Sequence, residues 1–81
     1  MKAAIKVGPL MFTGRTHADA LNSALASEVL AFEAKKSLVK SFSERKAETG
    51  FEDSGEFITR AQAQEKYGCS TSEAMMDRGL I

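Results

Sequence analysis

The chain carries one cysteine, one proline and one histidine among 81 residues, and its 11 basic and 11 acidic side chains cancel. Each scarcity excludes something. A lone cysteine, Cys69, makes no internal disulfide, and with a single histidine, His17, it cannot supply the four ligands of a structural zinc site. Zero net charge argues against a general nucleic-acid binder, which usually shows a basic excess. No apolar run approaches the roughly 20 residues of a spanning helix, and Met1 to Leu10 lacks the apolar core and cleavage site of a signal peptide. The expectation is one small domain over residues 1–81, without membrane association and located in a cytoplasm. Chains of this size bury only about 60 to 65% of their unfolded surface, so oligomerisation is the supplement left open.

The charge that is present is segregated. Residues 1–16 hold Lys2, Lys6 and Arg15 and no acid, and Lys35, Lys36, Lys40, Arg45 and Lys46 face only Glu44 in residues 35–46. From Ala47 onward seven acids outnumber Arg60, Lys66 and Arg78. Opposite poles of that kind favour attraction within or between subunits.

Apolar runs on either side of Gly8-Pro9 predict a β-hairpin over residues 2–13. Gly14 ends it, and Thr16 stands three residues before Asp19, the spacing of a helix cap, so a helix is expected from His17. Leu21, Leu25, Val29, Phe32, Val39 and Phe42 recur near one face. Unbroken to Glu48, that helix would be about 48 Å long, too long for the domain. It must bend near Lys35 to Ser37 or lay its apolar stripe against another copy. Phe51 and Phe57 flank Asp53-Ser54-Gly55 as a second, short hairpin. Thr59 with Gln62 repeats the capping spacing and predicts a helix to Tyr67, closed by Gly68; Ser70 with Glu73 predicts a last one over Thr71 to Arg78, stopped by Gly79. The fold class is α+β.

Two places concentrate binding chemistry. Gly14-Arg15-Thr16-His17 brings a guanidinium, an imidazole and free backbone N–H groups to a helix start, where phosphate binds well. Phe51 and Phe57, followed by Arg60, offer ring faces for a base and a cation for its phosphate. Catalysis finds less support, because neither Cys69 nor Ser70 has a second histidine to draw on and His17 lacks a carboxylate to orient it. No cofactor or metal is expected.

Together these segments resemble a class of small phage and prophage proteins that combine a Gly-Arg-x-His helix start with a Gly-Phe-x-x-Ser-x-Gly-x-Phe-x-x-Arg-x-x-Ala signature. The matching residues are Gly14, Arg15 and His17, then Gly50, Phe51, Ser54, Phe57, Arg60 and Ala63, with Gly55 directly after Ser54. Within that class the architecture resembles the anti-Thoeris cyclic-nucleotide sponge family, whose phage proteins bind a cyclic ADP-ribose immune signal and withhold it from its effector. The resemblance implies a homo-oligomer in the host cytoplasm that binds a cyclic nucleotide without turnover. Arg15, His17, Phe57 and Arg60, with Phe51 and the Thr16 cap beside them, are then the ligand contacts. Arg15→Ala and Arg60→Ala are expected to weaken ligand binding while leaving folding intact. The alternative expectation is an inhibitor or adaptor that holds a host defence protein through the long helix, by its apolar stripe or its basic stretch.

Overall fold

A computed structural model describes all residues 1–81. Two hairpins form one antiparallel sheet in the order β2-β1-β3-β4, with β1 Lys2–Val7, β2 Leu10–Gly14, β3 Glu48–Asp53 and β4 Glu56–Thr59. Both turns follow from residue type. Gly8 has φ 58° and precedes Pro9, whose ring fixes a negative φ, the sign pattern of a type II′ turn. Ser54 and Gly55 have φ 55° and 87°, the paired positive values of a type I′ turn, and the Glu52 carboxylate accepts a hydrogen bond from Gly55 N–H at 2.8 Å.

Four helices accompany the sheet: α1 His17–Ala26, α2 Phe32–Ser43, α3 Arg60–Tyr67 and α4 Ser72–Asp77. None is long and apolar enough to cross a membrane. The expected single helix from His17 to Glu48 is therefore two, and the break falls at residues 27–31, not near Lys35 to Ser37. The Ser27 hydroxyl accepts a hydrogen bond from Val29 N–H at 3.1 Å, a local bond that competes with the helical ladder. Residues beyond α2 also leave the helix. Arg45 takes a left-handed φ of 59°, and the chain enters β3 at Glu48. At the last helix, Thr71 and not Ser70 is the cap, accepting from Ala74 N–H at 3.1 Å. Thr59 and Gln62 form the predicted capping box, and Gly68 closes α3 in the left-handed conformation.

Strand alternation divides the sheet into two faces. Ala3, Ile5, Phe12, Phe51 and Ile58 point toward the helices and build two clusters. One packs Ile5 with Ala20, Ala24 and Leu38; the other packs Ala3 and Phe51 with Ala63, Cys69 and Met75. Lys2, Ala4, Lys6, Glu48, Gly50, Glu52 and Phe57 take the opposite face. There Lys2 stands opposite Glu52 and Lys6 opposite Glu48 across neighbouring strands. Two glycines permit close approach: a Cβ on Gly14 would lie 2.6 Å from Asp19 Cβ, and one on Gly50 would lie 2.1 Å from the Ile58 carbonyl.

Candidate binding cleft

The helix caps decide where the polar side chains converge. The Thr16 hydroxyl accepts from Asp19 N–H at 3.1 Å and so starts α1 at His17. The capping box starts α3 at Arg60, and Thr71 starts α4 at Ser72. His17, Arg60 and Ser72, each the first residue of its helix, meet between the two apolar clusters.

Hydrogen-bond chemistry fixes the state of the imidazole. His17 Nε2 lies 2.7 Å from the Gly50 carbonyl, which only accepts, so Nε2 carries a proton. Arg60 Nη2 lies 3.2 Å from Nδ1 and only donates, so Nδ1 is a bare acceptor. The Ser72 hydroxyl stands 3.3 Å from the same nitrogen. A neutral His17 is the result, and its pKa is lowered by burial first and by the Arg60 charge as well, against the raising effect of the Gly50 bond. The ring also packs edge-on against Phe51, with centroids 5.2 Å apart.

Arg60 is anchored on both sides. Its Nε donates to Thr49 Oγ1 at 3.1 Å and its Nη1 to the Ser70 carbonyl at 2.6 Å. The two ion pairs of the molecule are Lys66–Asp53 and Lys46–Glu44, so Arg60 has no carboxylate within ion-pair distance. This half-buried guanidinium opens on two clefts. The larger, about 530 Å³, is lined by His17, Phe42, Arg45, Ala47, Thr49 and Arg60, without an acid. The smaller, about 290 Å³, is lined by Thr16, His17, Ala18, Arg60, Thr71, Ser72 and Glu73.

Of the residues singled out in the sequence, Thr16, His17 and Arg60 are thus brought together. Phe51 has no exposed surface and offers no ring face to a ligand. Phe57 lies on the opposite face of the sheet, over Gly50 and 5.9 Å from the Lys6 ammonium. Arg15 is exposed and lines neither cleft. Arg60 ties β3, α1 and the segment before α4 together, so Arg60→Ala removes structural bonds as well as a candidate ligand contact. Phe42, Arg45 and Thr49 are the residues sequence reasoning missed as cleft walls. Phe42 and Arg45 were visible as members of the apolar stripe and the basic stretch, but only the left-handed turn at Arg45 carries them to β3. Comparison with protein-family models, curated proteins and solved structures finds no match.

Proposed function

We propose that this chain is a phage-encoded anti-defence protein that binds a cyclic nucleotide immune signal, such as a cyclic ADP-ribose isomer, and sequesters it without turnover in the host cytoplasm. The observation that carries this reading is the acid-free cleft, where Arg45 and Arg60 stand without carboxylate partners beside the Phe42 ring. Two guanidiniums suit phosphate oxygens and an aromatic ring suits a base. A volume of about 530 Å³ lies in the range of ordinary small-molecule sites.

The state of His17 favours binding over chemistry. Its one proton is held by Gly50 and its free nitrogen is occupied by Arg60, so it is a fixed wall and not a mobile acid or base. A homo-oligomer fits the same reading. Phe57 and Arg60 lie on opposite faces of one sheet, so a ring from Phe57 reaches a ligand at Arg60 only from a second copy. The face bearing Phe57 alternates Lys2, Glu52, Lys6 and Glu48, which makes it self-complementary in charge.

Calorimetric titration and native mass spectrometry with cyclic ADP-ribose isomers and cyclic di- and trinucleotides test the proposal. One ligand should be retained intact at fixed stoichiometry. Arg45→Ala should weaken it at least about tenfold, as loss of a charged hydrogen bond does, without lowering the melting temperature. Arg60→Lys should weaken it while preserving most of the fold. Retention of no nucleotide, release of a cleaved product, or full affinity in Arg45→Ala would sink the reading.

A further inference from the structure

The large hydrophobic side chains left exposed are Val29, Phe32 and Val39, at 70%, 71% and 44% of their accessible surface, and they gather at α2 and the segment leading into it. The other side of α2 is spoken for, since Leu38 and Phe42 pack with Ile5, Ala20 and Ala24. Phe32, Lys35, Lys36, Val39, Lys40 and Ser43 are each three or four residues from another of the set, so they form a single stripe on one side of α2. With Leu25 of α1 they line a groove of about 510 Å³. Its apolar residues come from both helices, its charged residues are three lysines, and no acid lines it. The Lys36 ammonium sits 5.6 Å from the Phe32 ring centroid, over one face of that ring.

We infer that this groove docks an acidic amphipathic helix of another protein, with apolar side chains seated on Leu25, Phe32 and Val39 and carboxylates against Lys35, Lys36 and Lys40. Charge selects this occupant. A second copy meeting the groove through the same face would set three lysines against three lysines, a repulsive arrangement. A second copy meeting it through another face brings only Val29 of the exposed large apolar side chains, too little to fill a strip that presents Leu25, Phe32 and Val39. An anionic bilayer supplies the charge, but the apolar side chains here are three on one narrow strip, Leu25, Phe32 and Val39, which matches the apolar stripe of a single helix. The helix-in-groove mode meets both requirements. This surface shares no lining residue with the Arg45–Arg60 cleft, so the two readings fail separately.

Fluorescence anisotropy with the full chain tests the inference. The probe is a labelled synthetic helix with leucines at steps of three and four and glutamates on the flanks; its scrambled sequence and a lysine-for-glutamate version are the controls. The expected result is micromolar binding of the acidic helix alone, weakened by salt, reduced at least about tenfold by Lys36→Glu with Lys40→Glu, and reduced by Phe32→Ser. All three substitutions sit on exposed positions and should leave the melting temperature unchanged. Equal binding of the scrambled peptide, or no binding, overturns it. So does capture by phosphatidylserine vesicles with no response to the peptide, or a dimer in sedimentation that Phe32→Ser dissolves.

Discussion

The two apolar clusters are held in different ways. Around Ile5, α1 presents Ala20 and Ala24 four residues apart, so a smooth helix face lies close to the sheet and Leu38 of α2 closes the side. Around Phe51 the helices are α3 and α4, of eight and six residues, too short to be stable by themselves. That half relies on end chemistry: the Thr59–Gln62 box, the Thr71 cap, Gly68, and the Arg78 guanidinium on the Tyr67 carbonyl. It also relies on large side chains, Phe51 and Met75, each without exposed surface. Packing of a smooth helix face does on one side what caps and bulk do on the other. The His17–Arg60 contact is the seam between them.

The sharpest way to break this comparison is at the large side chains. Phe51→Ala should remove about 3 to 5 kcal/mol, a large part of what a domain of this size has, and urea denaturation measures it. Leu38→Ala should cost about 2 to 3 kcal/mol and raise hydrogen exchange in α1 and α2 before α3 and α4. Because Phe51 touches His17, its loss should loosen both halves; exchange confined to α3 and α4 would mean that the seam transmits nothing.

A smaller effect tests the seam itself. Burial and the Arg60 charge hold His17 below the ordinary imidazole value of 6.5, so the unfolded chain takes up the proton first. Its contribution is complete above that value and is lost as pH falls through the window beneath it, until the folded protein protonates too. His17 is the one histidine in the chain. His17→Gln should therefore flatten the stability profile as pH falls below 6.5, and an unchanged slope would contradict the neutral assignment.

The smallest effect lies at the edge of the Phe51 half. Hydrogen bonds from Lys66 at 2.6 Å and Tyr67 at 2.8 Å hold the Asp53 carboxyl below its ordinary value. That contribution is present above the usual carboxylate range and lost as pH falls below it. Asp53→Asn should reduce the acid-side loss of stability and lower neutral-pH stability by the same small amount, since Lys66 is largely exposed. An acid limb identical to the parent's would exclude the contact.

What could be read from the sequence was what local chemistry determines. Gly8-Pro9, Ser54-Gly55, Thr59 with Gln62, and Gly68 have one comfortable backbone each, and the turns and helix ends fall where they stand. The break after Ala26 has no glycine or proline to announce it; a serine side chain competing for Val29 N–H, and the need of Leu38 to reach Ile5, decide it. The candidate cleft was half legible for the same reason. His17 and Arg60 were evident from their helix starts, but their meeting depends on a separation of 43 residues. Arg45 reaches them only because a non-glycine residue adopts a left-handed turn. Phe51 and Phe57 looked equivalent as a pair, yet strand alternation sends one into the core and the other to the far face.

The chain passes the His17–Arg60 point four times, at His17, Thr49-Gly50, Arg60 and Ser72, with partners of His17 that are 33, 43 and 55 residues away. Such a point exists only when the whole molecule is assembled, and its separate pieces have no affinity to lend to the unfolded chain. A ligand held there is therefore coupled to folding: it stabilises the native protein in proportion to the logarithm of its free concentration over its dissociation constant. Occupancy of that point by any ligand would then be read as a rise in melting temperature, which makes the fold itself the gauge of free ligand concentration.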